Sequence, residues 1–180
     1  NLETTGNMKG AIMSRILLFI LALTSSLKAF AGDDPSVVPQ VDLKRYSGFW
    51  FEIAHSPNFF QGSCERSTAE YGLNQDGSIS VLNSCFRNNE PYRSIRGVAR
   101  VVDSATPAKL KVDFGFFRKG DYWIVALDEN YEWAVVSGPA KSSLFILARR
   151  APMDPALLEN ILSGLKARSF ELDNLIYDKY

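Results

Sequence analysis

Gly48-Phe49-Trp50-Phe51-Glu52-Ile53-Ala54-His55 places bulky aromatic and branched side chains next to polar ones behind an opening glycine, and the segment predicts a β-strand. Outward from it, similar runs recur at intervals of roughly 12 residues with turn residues between them. They are Ser67 to Leu73, Ser78 to Phe86, Arg93 to Val102, Lys109 to Phe114, Tyr122 to Asp128, Tyr131 to Ser137 and Ser143 to Arg149. The clearest hairpin breaks at Asn74-Gln75-Asp76-Gly77, and others break at Asp128-Glu129-Asn130 and Gly138-Pro139. Helical spacing occurs once. Asp154 stands as N-cap and Pro155 at the first helical position, with Leu157, Leu158, Ile161, Leu162 and Leu165 on one face. Leu175 to Tyr177 adds a short edge strand. Eight antiparallel strands followed by a single helix fit an all-β, up-and-down β-barrel with one C-terminal α-helix, closed on itself to leave few edges. Strand spacing alone fits a two-sheet sandwich equally well.

The composition narrows the function. With 20 Lys+Arg, 20 Asp+Glu and one His, the 180-residue chain has a formal charge of zero. It therefore carries no electrostatic footprint for nucleic acid. Aromatics make up 12%, which favours strands and a lined interior over a helical bundle. Two cysteines and one histidine leave little material for a metal site or a catalytic triad, and no catalytic residue, metal or cofactor is expected.

Residues 1–31 read as upstream residues and a cleavable signal peptide. Arg15 precedes the apolar run Ile16 to Leu23, and Ala29-Phe30-Ala31 supplies an A-x-A cleavage site. Eight apolar residues fall far short of the roughly 20 that a spanning helix needs. Cleavage after Ala31 leaves residues 32–180 as one domain, with 17 basic and 19 acidic residues. No cysteine lies near the cleavage site to take a lipoprotein anchor, so a released periplasmic or secreted protein is expected. In an oxidising compartment Cys64 and Cys85 are expected to pair. Cys64 is expected to open the second strand and Cys85 to end the third, and direct pairing needs a loop of about six residues at Gly72 to Gly77, or a bulge. A tighter turn leaves the two cysteines diagonal.

Three segments carry a family resemblance. Val41 to Ala54, with Gly48 and Trp50, resembles the first signature of the lipocalins. Tyr122 to Asp128, with Tyr131, Ala134 and Gly138-Pro139, resembles the second, of whose acidic pattern only Asp128 is kept. Leu144 to Arg149 resembles the third. The resemblance extends to the bacterial lipocalins, apolipoprotein D and the plant temperature-induced lipocalins. It implies the barrel, a cap at its closed end in which Arg149 lies on the Trp50 indole, and a role in binding and transporting small hydrophobic molecules. In the bacterial subgroup these are fatty acids or lysophospholipids, with a role in membrane lipid storage or maintenance.

With Trp50 inward, strand alternation places Glu52 and Ala54 inward too. Tyr71, Val81, Phe114, Phe116, Tyr122, Ile124 and Phe145 complete the expected cavity wall. His55 is expected at the rim of the mouth. Asn58-Phe59-Phe60-Gln61 either projects two aromatics there or folds down as a plug. Arg93, Arg96 and Arg100 read as solvated residues of the fourth strand, or one of them meets an anionic head group at the mouth. Expected partners are the small hydrophobic ligand and, transiently, a membrane surface; the chain reads as a monomer or weak homodimer. Two other readings stay open. One is a barrel enzyme acting on lipid through Glu52, His55 or a free cysteine. The other is a plugged barrel that binds another protein.

Overall fold

The computed structural model describes residues 36–116, 118–141 and 143–180. The signal peptide expected over residues 1–31 lies outside the described residues. Helix α1 (Leu43–Tyr46) begins at Asp42, whose Oδ1 accepts the N–H groups of Lys44 at 2.9 Å and Arg45 at 3.2 Å. Eight strands follow: β1 (Gly48–His55), β2 (Arg66–Leu73), β3 (Ile79–Arg87), β4 (Glu90–Val101), β5 (Lys109–Asp113), β6 (Lys119–Leu127), β7 (Trp133–Ser137) and β8 (Leu144–Ala148). Helix α2 (Pro155–Ala167) and the two-residue β9 (Ile176–Tyr177) complete the order.

Each strand pairs antiparallel with the next, and β1 pairs with both β2 (Gly48↔Tyr71) and β8 (Phe51↔Ala148). The sheet is therefore one closed barrel, and the sandwich is excluded. β4 begins three residues before its expected start. Asn88 and Asn89 both hold positive φ, 52° and 64°, and close a two-residue turn between Arg87 and Glu90.

Apolar side chains segregate into two clusters. One fills the lower barrel with Trp50, Tyr71, Val81, Ile124 and Leu147. The other lies between the outer face of the sheet and α2, where Ile161, Leu165 and Phe170 meet Ile53, Ala54, Val135 and Ile146. Asp154 caps α2 by accepting the Leu157 N–H at 2.9 Å, and Ile161 and Leu165 are buried on the expected face.

Three expectations are corrected by local geometry. Ile53 is a bulge, since the register of β1 on β8 shifts between Glu52↔Leu147 and Ala54↔Ile146. The extra residue inverts alternation, so Ala54 packs outward in the α2 cluster and not on the cavity wall. Phe116 also leaves the wall. β5 ends at Asp113, Gly115 (φ 74°) and Phe116 (φ 44°) form the turn, and the Phe116 ring is 95% exposed. Cys64 precedes β2 instead of opening it. The ladder pairs Ser67 with Cys85, so Cys64 starts three residues off register. The turn in which Cys64 N–H meets the Gln61 carbonyl at 2.8 Å brings it across, and the Cys64–Cys85 disulfide forms with Cα atoms 5.4 Å apart.

Candidate ligand cavity

The closed end is built on Trp50, which is fully buried and donates its Nε1–H to the Tyr46 carbonyl at 2.8 Å. Arg149 covers its outer face, with the guanidinium carbon 3.7 Å from the ring centroid. Its nitrogens donate to the carbonyls of Phe49 (2.8 Å), Arg45 (2.9 Å), Ser47 (3.0 Å), Tyr46 (3.2 Å) and Tyr131 (3.2 Å). One planar fork thus ties α1, the start of β1 and the β6–β7 turn together. Gly48 makes room for it: at φ 99°, a Cβ there would stand 3.3 Å from Arg149 Nη1. Asp128 shapes the neighbouring turn by accepting the N–H groups of Asn130 (2.9 Å) and Glu132 (3.2 Å).

Above Trp50 a layer of tyrosines crosses the lumen. The hydroxyls of Tyr46 and Tyr122 lie 2.7 Å apart, and Tyr122 donates to Tyr71 at 3.0 Å. Burial pushes all three phenols up, so the chain of hydroxyls is neutral. Beneath the layer, Val81 and Ile124 line a void of only about 20 Å³. They belong to the floor, not to the wall of the larger cavity. A Tyr122→Phe substitution leaves the Tyr46 hydroxyl without its acceptor and is expected to cost about 1–2 kcal/mol in urea unfolding; an unchanged midpoint would show that the hydroxyl chain adds nothing to stability.

Above the layer the barrel opens into a cavity of about 1060 Å³. Glu52, Tyr71, Phe114, Tyr122 and Phe145 stand on its wall, joined by Ala69, Ile95, Val112, Val136 and Leu147. The β1–β2, β5–β6 and β7–β8 connections surround the mouth. Phe59 points outward there, 98% exposed, while Phe60 packs 5.7 Å from the Arg93 guanidinium. The loop is therefore no plug. Arg93, Arg118 and Lys119 bring positive charge to the lining. Arg96 and Arg100 are exposed, and Arg100 pairs with Asp76 at 3.2 Å.

His55 is not at the rim. It is 1% exposed, and its Nδ1 lies 2.9 Å from the Ser56 carbonyl. Its Nε2 faces Glu52 Oε1 at 3.9 Å and Asp178 Oδ1 at 3.8 Å. Gln61 donates to Glu52, and the Ser67 N–H donates to Asp178 Oδ2. Burial raises Glu52 well above the usual carboxylate range, and the nearby Asp178 charge raises it further, against the Gln61 hydrogen bond. Burial also pushes Asp178 up to about 7, and lowers His55. Asp178 went unnoticed in the sequence because it belongs to the tail after α2. β9, pairing His55 with Ile176, and the Asp178 N–H, which donates to the Ile53 carbonyl at 3.1 Å, bring it to β1.

A lipocalin-like domain model matches residues 41–179. The outer membrane lipoprotein Blc of Citrobacter freundii is 33% identical over 172 residues, covering 92% of this chain and 97% of that protein. Apolipoprotein D of Macaca fascicularis is 35% identical over 130 residues, 66% of this chain and 68% of that one. In fold, the chain is similar to insecticyanin from the tobacco hornworm Manduca sexta, with TM-score 0.64 at 23% identity over 82% of this chain and 85% of that one. The signature cap at Trp50 and Arg149, the closed eight-stranded barrel and these likenesses agree: the chain belongs to the lipocalin family, in the group that contains Blc and apolipoprotein D.

Proposed function

We propose that the protein is an exported carrier of single-chain amphiphiles, fatty acids or lysophospholipids, which serves in membrane lipid storage or maintenance. The observation that carries this reading is the cavity of about 1060 Å³, floored by the tyrosine layer and open at one end. A tail lying along Tyr71, Val112, Phe114, Phe145 and Leu147 gains about 0.8 kcal/mol for each methylene it buries. The head group stays at the mouth, where Arg93 and Lys119 meet a carboxylate or phosphate. Ala54, Val81, Ile124 and Phe116 have no part in this contact set. The outward Phe59 suits transient contact with a membrane surface during loading. Blc is named for an outer-membrane lipoprotein; here the two cysteines are joined at 64–85, and the reading favours a released chain in the periplasm or outside the cell. The same disulfide takes away the thiol that an enzyme of the cysteine type would use.

Native mass spectrometry followed by organic extraction tests the proposal. The expected result is one lipid per chain, displaced by added oleate. A chain that carries no lipid and binds no fluorescent fatty acid would overturn it. Val136 is buried on the wall of β7, so Val136→Trp places an indole in the lumen. It is expected to weaken fatty-acid binding tenfold or more, about 1.4 kcal/mol, in a fluorescence displacement titration.

A further inference from the structure

The cluster behind the β1–β2 loop supplies none of the proposed tail or head-group contacts, and within it the imidazole makes no hydrogen bond to either carboxylate. His55 Nε2 stands 3.9 Å from Glu52 Oε1 and 3.8 Å from Asp178 Oδ1, both beyond hydrogen-bond reach. One ligand-type atom from each of the three residues falls within 4.8 Å of the others. A tetrahedral ion with nitrogen and oxygen ligands at about 2.1 Å holds them about 3.4 Å apart. The three atoms would have to close by up to about 1.4 Å to reach that spacing.

The surroundings supply what such an ion requires. The Nδ1 of His55 lies 2.9 Å from the Ser56 carbonyl and 3.3 Å from the Asn58 amide nitrogen; donation to the nearer carbonyl puts the proton on Nδ1 and leaves the Nε2 lone pair toward the two carboxylates. The Ser67 N–H holds Asp178, and Gln61 holds Glu52, so two of the ligands are oriented by a second contact. Among the described residues neither carboxylate pairs with a lysine or arginine. Two acidic groups and one imidazole thus share a buried space with no cationic side chain to balance them. The Glu52 side chain also lies on the cavity wall, which gives an entry path and a position for a water as fourth ligand.

We propose that Glu52, His55 and Asp178 bind a divalent transition-metal ion of the zinc class. The imidazole and the count of three protein ligands favour zinc-like ions over calcium, which takes six to eight oxygens, and over magnesium, which keeps an octahedral shell of oxygens. The ion would pin the tail after β9 to β1 and hold the floor of the β1–β2 loop. This inference is independent of what the cavity carries.

His55 is the only histidine in the sequence, so its imidazole signals report on the site directly. The untagged chain, disulfide intact and stripped with chelator, is titrated with zinc chloride while calorimetry and the imidazole nitrogen resonances are followed. The expected result is one zinc per chain, micromolar or tighter, with the Nε2 resonance shifting in step. Zinc bound with that resonance unmoved, no zinc bound, or an equal response to magnesium chloride would each overturn the proposal. His55→Gln and Asp178→Asn are each expected to lose at least a hundredfold in zinc affinity while circular dichroism stays native; tight binding retained by either would sink it. Should a variant fail to fold, the wild-type resonance decides alone.

Discussion

Arg149→Ala is expected to lower the unfolding free energy by about 3 kcal/mol, a large share of the 5–15 kcal/mol that such a domain has in total. Two losses add. The guanidinium on the Trp50 face, 3.7 Å from its centroid, contributes on the order of 1–2 kcal/mol. Its hydrogen bonds to the carbonyls of Arg45, Ser47, Phe49 and Tyr131 contribute about as much again, because the donor is charged and solvent can replace only part of it. Arg149→Lys is expected to recover little, since one ammonium cannot reach carbonyls spread over three segments. Arg149→Met should recover the cover over the indole but none of the hydrogen bonds. Urea unfolding of the three variants, followed by Trp fluorescence, separates the terms. A loss under about 1 kcal/mol for the alanine variant would mean that the cap is ornamental and that the interior packing alone closes this end.

The double substitution Cys64→Ala/Cys85→Ala is expected to cost about 3 kcal/mol, from the loop entropy released over a sequence separation of 21. Its effect on ligand exchange should be larger than its effect on the rest of the barrel. The β2–β3 ladder already aligns Ser67 with Cys85, so the bond mainly anchors the segment from Asn58 to Cys64, which forms one side of the mouth. Thermal unfolding should fall by several degrees, and a bound fluorescent fatty acid should dissociate faster in stopped flow. Stability lost with dissociation unchanged would show that the mouth does not depend on this tether.

The residues that were legible in the sequence act through local pattern. Trp50 and Arg149 are large, chemically distinctive and fixed to strand ends, so their meeting followed from the signature segments. Tyr71, Phe114, Tyr122 and Phe145 fell on the cavity wall because their strands run without interruption before them. Ala54 and Phe116 failed for the opposite reason. A bulge at Ile53 and a turn at Gly115 reset alternation; no residue type announces the bulge, whereas the glycine marks a turn without showing that Phe116 would swing out of the wall. Val81 and Ile124 face inward but line the small void at the tyrosine layer and not the larger cavity, because alternation says inward or outward and nothing about which side of a tyrosine layer a residue occupies.

The chain's own turns and hairpins determined eight antiparallel strands in neighbour order and one capped C-terminal helix, since each hairpin needs only short-range hydrogen bonds and turn chemistry; the pairing of β8 with β1, which makes a barrel of them and excludes a sandwich, was decided by tertiary structure. Cavity depth, the buried place of His55 and its meeting with Glu52 and Asp178 were decided only by tertiary structure. Asp178 reaches β1 from the far end of the sequence through a two-residue strand. Such convergence depends on where the whole barrel puts its ends, which no local spacing encodes.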